Sequence, residues 1–232
     1  MPATARTLAA VLTTTLLLAA CHGEQRPTNG GTLATSASGI AARSPEEIAR
    51  AADAAFRSAH SVRARVLGAA AEGTGPLDLT LTGTGARGWV TPPSGVRVDV
   101  VATSGSVYLR GRGFWARHGG VALAAAFGDH WVRVESAKAG KVAPFARYLT
   151  TGGFAEGFLG LLRAPGALDS KSPTMVAGQP AVRLRSTAAL CDVAATGKPY
   201  PLRLDLPGGH VELSGYDRQV VIKAPGGALK AD

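Results

Sequence analysis

From Val62 onward the chain alternates apolar and polar side chains in short runs. "VRARV" sets Val62, Ala64 and Val66 against Arg63 and Arg65. "LDLTLTG" sets Leu77, Leu79 and Leu81 against Asp78 and Thr80, and "GVRVDV" sets Val96, Val98 and Val100 against Arg97 and Asp99. A period of two sends the two sets to opposite faces, so each run predicts a strand with one face buried and one wet. "VYLRG" follows across Ser104-Gly105-Ser106, which predicts a hairpin. The alternation returns after Asp169 in "AVRLRST", "PLRLDL", "HVELSG" and "QVVIKA", with turns predicted at "TGKP" and "PGG". Repeated alternation of this kind belongs to antiparallel sheet.

Three stretches read as helices. In "SPEEIARAADAAFRSAH", Ser44 is a good N-cap, Pro45 suits the first helical position and Glu47 completes a capping box. Ile48, Ala52, Ala55, Phe56 and Ala59 then share one face, with Glu46, Arg50, Asp53 and Arg57 opposite. "GGVALAAAFGDH" predicts a short apolar helix before a strand at "HWVRVE". "VAPFARYLTTGGFAEGFLGLLRAPG" predicts two helical pieces broken near Gly152-Gly153, with Phe154, Phe158, Leu161 and Leu162 on a common face. Gly152, Gly153, Gly157 and Gly160 have two readings: a movable lid, or close packing of backbones. Strands and helices do not alternate, which argues against a doubly wound α/β fold. The expectation is an α+β domain from Ser44 to Asp232: a curved antiparallel sheet with helices covering its concave face.

The first residues follow a different pattern. An apolar run from Leu8 to Ala20 follows a single cation, Arg6, and is shorter than the ~20 residues a membrane-spanning helix needs. It ends in Leu18-Ala19-Ala20-Cys21, the small-residue pattern that precedes the acylated cysteine of bacterial lipoproteins. Residues 1–20 therefore read as a lipoprotein signal peptide and Cys21 as the lipidated N-terminus. Residues 21–43, rich in Gly, Ser, Thr and Ala, read as a flexible tether. Acyl chains on Cys21 would hold the protein on the extracytoplasmic face of the cytoplasmic membrane.

Charge and chemistry narrow the picture further. The chain carries 25 basic and 16 acidic residues, a formal net charge of +9. The basic residues are scattered singly along the predicted strands and aromatics are only 6%, so a solvated outer face is expected rather than a nucleic-acid site. A modest attraction to anionic head groups fits the same charge. Of the two cysteines, Cys21 is assigned to lipid, which leaves Cys191 as a small apolar core residue and the fold without a disulfide. The five histidines show no metal-ligand spacing. No nucleophile elbow, Ser-x-x-Lys, phosphate loop or dinucleotide fingerprint is present. Neither catalytic residues nor a cofactor are expected. Trp89, Trp115 and Trp131 read as caps on a core edge.

Three stretches carry a family resemblance: "GVRVDVVATSGSVYLRGRGFWARHGG", "GDHWVRV", and "CDVAATGKPYPLRLDL" with "HVELSGYDRQVVIKAP". Together with Leu18–Cys21 and the first helix, they resemble the LolA-like lipoproteins of actinobacteria, the LppX/LprG group, over residues 61–225. The resemblance implies a half-barrel cupping helices around an apolar cavity. It also implies binding of the acyl chains of a lipid or lipoglycan, carried or presented in the cell envelope. Val62, Val66, Leu79, Leu81, Val96, Val98 and Val100 are the candidate lipid-facing residues, on the concave face in either reading. The alternative is an anchored interaction scaffold with a solid core and no lipid ligand. A cavity of several hundred cubic ångströms favours the first, and a filled concave face favours the second.

Overall fold

The computed structural model describes residues 39–68, 74–162 and 168–231. Cys21, the signal peptide and most of the expected tether lie outside the described residues. Helix α1 (Pro45–Ser58) begins with the expected reciprocal cap. Ser44 Oγ accepts from Glu47 N at 3.2 Å, and Glu47 Oε2 accepts from Ser44 N at 2.9 Å. Its buried side chains are Ile48, Ala49, Ala52 and Phe56. Just before it, a 3₁₀ turn at Ile40–Ala42 is held by Lys171 Nζ, which donates to the carbonyls of Ala41 and Arg43.

The strands are β1 (Val62–Gly68), β2 (Leu77–Leu81), β3 (Ala86–Val90), β4 (Val98–Thr103), β5 (Ser106–Arg110), β6 (Val132–Glu135), β7 (Leu168–Val176), β8 (Gln179–Ser186), β9 (Leu190–Ala194), β10 (Pro201–Leu206), β11 (Gly209–Ser214) and β12 (Leu229–Lys230). They form one curved, unclosed sheet in the order β12-β6-β5-β4-β3-β2-β1-β11-β10-β9-β8-β7. Every pairing is antiparallel except β12 with β6. The α+β expectation holds.

Register turns the alternation into rows across the inner face. One row runs Val62, Leu81, Ala86, Ala102, Val107, Val134, and the next runs Ala64, Leu79, Gly88, Val100, Leu109, Val132. A third contains Val66, Leu77, Val90 and Val98. The side chains in these rows are buried and belong to one core.

The outer face carries a row of charges in the same register. Arg183, Asp192, Arg203, Glu212, Arg65, Asp78, Trp89, Asp99 and Arg110 stand opposite one another on successive strands from β8 to β5. Opposite charges on facing positions attract, so the scattered arginines of the sequence become a cross-strand ladder. Arg65 Nη1 lies 3.1 Å from Glu212, and Arg63 grips Asp78 at 2.6 and 2.8 Å. This second grip holds the Asp78 carboxyl below its usual range.

Helix α2 (Arg112–Phe127) connects β5 to β6 and is kinked at Gly119–Gly120. The covering segment follows β6: α3 (Ser136–Val142), a 3₁₀ turn at Pro144–Tyr148, α4 (Thr151–Phe154), a π-helical turn at Ala155–Leu159 and a last turn at Gly160–Leu162. The expected break near Gly152-Gly153 is displaced. Both glycines lie within α4, and the chain breaks at Thr150, whose Oγ1 caps the new turn by accepting from Gly153 N at 3.0 Å.

Two strand expectations are also corrected. "QVVIKA" is not a strand: residues 215–228 form an extended strap from β11 to β12, which lie on either side of six intervening strands. Val96 lies outside β4, because Pro92–Gly95 closes a turn through Gly95 N to Pro92 O at 2.9 Å.

Candidate functional site

The sheet's concave side is occupied by α1 and the covering segment. An aromatic stack crosses it. Phe56 lies 5.8 Å from Phe154, Phe154 lies 4.2 Å from Phe158, and Phe158 lies 5.3 Å from Tyr148, all between ring centroids. Ile48, Phe145, Leu149 and Leu159 complete the filling. Val62, Val66, Leu79, Leu81, Val98 and Val100 are fully buried beneath these side chains. Val96 is half-buried and stands where a side chain on Gly113 would strike it, against α2 rather than in the inner rows. The depth of the half-barrel is therefore closed.

Its rim is not closed. A cleft of about 610 Å³ opens between the β4–β5 hairpin and the covering segment. Four core residues reach it: Ala102 and Val107 from the first inner row, and Ala139 and Leu149 from the cover. Arg147, with its guanidinium 4.8 Å from the Tyr148 ring, and Thr150 stand at the polar edge. Ala102, Val100 and Val98 alternate along β4 on one face, so the cleft continues the line of the buried residues. The cover-side residues were not singled out from sequence. Their signal is the spacing of Phe145, Tyr148 and Leu149, which puts three large side chains on the inner side of a turn.

A second groove, about 960 Å³, lies between the strap and the tips of the β2–β3 and β4–β5 hairpins. Asp217, at φ +55, fixes the strap's first turn. Its carboxylate accepts from His60 N at 2.9 Å, Lys198 Nζ at 2.9 Å and Tyr200 OH at 2.5 Å. The Tyr200 and Lys198 bonds, with the His60 N–H, hold its carboxyl well below the usual range. Tyr200 stacks on Tyr216 at 4.0 Å, and Tyr216 OH donates to the Pro201 carbonyl. Cys191 is buried in the inner face beside Leu184 and Leu204, and burial pushes its thiol far up, which makes it inert. Among the described residues no group of three or more His, Cys, Asp or Glu could hold a metal ion. None of the described helices is long and apolar enough to cross a membrane.

No family model matches the sequence, and no curated protein matches it. Among solved structures, LprF from Mycobacterium bovis superposes with a TM-score of 0.51 at 15% identity, covering 79% of this chain and 97% of that one. This chain has the LprF fold. Lipoprotein LppX from Mycobacterium tuberculosis is also similar, with a TM-score of 0.47 at 13% identity over 77% of this chain and 98% of that one. The fold expected from the sequence is thus shared with a solved structure at only 15% identity.

Proposed function

We propose that this chain is an extracytoplasmic lipoprotein, acylated at Cys21, that binds the acyl chains of a lipid or lipoglycan and carries or presents it in the cell envelope. It performs no covalent chemistry of its own. The observation that carries this reading is the rim cleft, which core residues of sheet and cover line along one seam. An acyl chain needs apolar walls and no hydrogen-bond partners. Entering beside Ala102 and Val107, it would displace part of the covering segment and run along Val100 and Val98. A head-group phosphate would then meet Arg147 at the edge. The short cover segments are then the part that yields.

The second reading is the anchored scaffold with a solid core. The filled concave face favours it. Native mass spectrometry of the chain from residue 21 with Cys21→Ser, expressed in a lipid-rich host, separates the two. A co-purifying acyl mass and displacement of a bound fluorescent fatty acid support the carrier. If neither is found, the scaffold stands. The anchor is tested separately: Cys21→Ala in the full chain moves the protein from the membrane fraction to the medium. Unchanged partitioning, with no acyl mass on the unsubstituted protein, would refute acylation.

A further inference from the structure

Helix α2 changes character at its kink. Before it, Phe114 and Trp115 are buried in the core. At Gly119 and Gly120 the backbone leaves the helical region (φ −150, ψ 23, then φ 65, ψ −159), and residues 121–127 form a second helical stretch. This stretch is held by Ala124, which is buried, and by Phe127, whose ring lies 4.9 Å from Trp115. Its other face is exposed: Val121, 86% accessible, with Ala122, Ala125 and Ala126. These positions share one side of a helix. No charged residue occurs between Arg117 and Asp129. A surface helix ordinarily turns a polar face to water, so an apolar outward face needs another explanation.

The surroundings identify the partner's chemistry. The strand ends that flank α2 bring Arg97, Arg110 and Arg112 to one end of the sheet, and Arg117 follows within the first part of α2, all exposed. Asp99 lies 3.4 Å from Arg97 and 2.8 Å from Arg110, and Asp129 lies 3.7 Å from Arg112. Arg117 has no ion pair among the described residues. Two acids among four arginines leave this end positive. Trp89 and Trp131 sit there too, each with a guanidinium 4.6 Å from its ring, Arg97 and Arg110 respectively. Apolar helix face, amphipathic indoles and a cationic rim are the three components of an interfacial anchor.

We infer that residues 121–127 form a docking face for an anionic phospholipid bilayer. Val121 and the three alanines enter the acyl boundary, and the arginines meet lipid phosphates. A second copy of the chain would match the apolar face but would bring two positive rims together, which opposes self-association. The docking face requires neither cargo in the core nor the Cys21 anchor, so it stands or falls apart from the proposed function.

The test uses the chain from residue 21 with Cys21→Ser, whose folded part lies within the compact unit Ser36–Asp232. Flotation is measured with phosphatidylcholine vesicles, alone and with about 30% phosphatidylglycerol, while tryptophan emission is followed. Binding to the anionic vesicles is expected, with a blue shift and loss in high salt. Val121→Asp should weaken it about tenfold and Arg117→Glu about fivefold, both with unchanged melting because the side chains are exposed. Equal binding of Val121→Asp and the parent, or no binding to either vesicle, overturns the inference. So does a dimer that Val121→Asp dissolves while vesicles stay unbound, because the occupant is then a second copy.

Discussion

Arg57, in the last turn of α1, meets Glu156 of the covering segment at 2.7 Å between Nη2 and Oε1, across 99 residues of sequence. The same guanidinium is oriented by Asp53 one turn earlier, Nε to Oδ2 at 2.9 Å. The pair ties the outer edge of the cover to α1, above the stacked rings of Phe56 and Phe154. Both partners are partly exposed, so the tie contributes at most about 1 kcal/mol. Its importance lies in where it acts. Arg57→Ala should lower global stability little and speed amide exchange in residues 151–159, with the inner strands unchanged. Uniform acceleration across the sheet would mean that cover and sheet open together.

The glycines of the cover have two readings, a movable lid or close packing, and geometry decides between them at Gly153 and Gly157. A side chain on Gly157 would come within 2.2 Å of the Tyr148 ring, and one on Gly153 within 1.9 Å of the Arg147 carbonyl oxygen. Close approach explains both. Gly157→Ala should therefore destabilise the protein by ~1–3 kcal/mol, measured by denaturant unfolding. If glycine served only to loosen a helix, alanine would stabilise it by up to ~1 kcal/mol instead. The sign of the change decides.

Much of the fold was legible because one face of the sheet is dry and the other wet. Val62, Ala64 and Val66 against Arg63 and Arg65 give burial and direction at once. Strands β3, β7, β9 and β12 were not legible, and two of them show why. In β9, Cys191, Asp192, Val193 and Ala194 are all buried, so no alternation survives. In β7 almost the whole strand is exposed at the sheet edge. "QVVIKA" misled for the opposite reason: its apolar residues look like an inner row, yet Val220 and Val221 are exposed on the strap. Of the candidate site, the apolar rows of the sheet were readable. The cleft was not, since it depends on how far the cover stands from β4 and β5, a distance set by tertiary packing.

Asp192 carries the most buried charge among the ladder residues, with its side chain 2% exposed, and Arg183 grips it at 2.7 and 2.8 Å. Removing only the cation leaves a buried carboxylate without its partner, which costs ~3–5 kcal/mol. Arg183→Met should show a loss of that order in denaturant unfolding. Arg183→Met with Asp192→Leu should recover most of it, because the orphaned charge is then gone. A double variant no better than the single would show that the pair stabilises by more than its own neutralisation.

The strap should be acid-sensitive. The Asp217 carboxyl is held below its ordinary range, chiefly by Tyr200 OH and Lys198 Nζ and then by His60 N–H. A group whose folded pKa is depressed contributes stability above its unfolded pKa and loses it as pH falls toward the folded one. The contribution is thus complete at neutral pH and declines below about pH 4. Asp217→Asn should flatten this acid limb, read as melting temperature between neutral and strongly acid pH. It should also raise amide exchange around residues 215–222. A parent and variant with parallel acid limbs would assign the sensitivity elsewhere.

The depth and the rim of the half-barrel should respond differently to the same added bulk. Val98 lies in the third inner row, fully buried beside Val90. Val107 is in the first row and lines the rim cleft beside Ala102 and Leu149. Val98→Trp must force an indole into packed side chains, at ~1–3 kcal/mol or more. At Val107 the ring has the cleft to enter, so Val107→Trp should melt closer to the parent. The acyl-chain reading adds a second signature. A ring in the cleft blocks the entrance, so Val107→Trp should lose displacement of a bound fluorescent fatty acid while remaining folded. Equal destabilisation by both substitutions would show a rim as solid as the depth. A parent with no displaceable probe would leave the scaffold as the reading that remains.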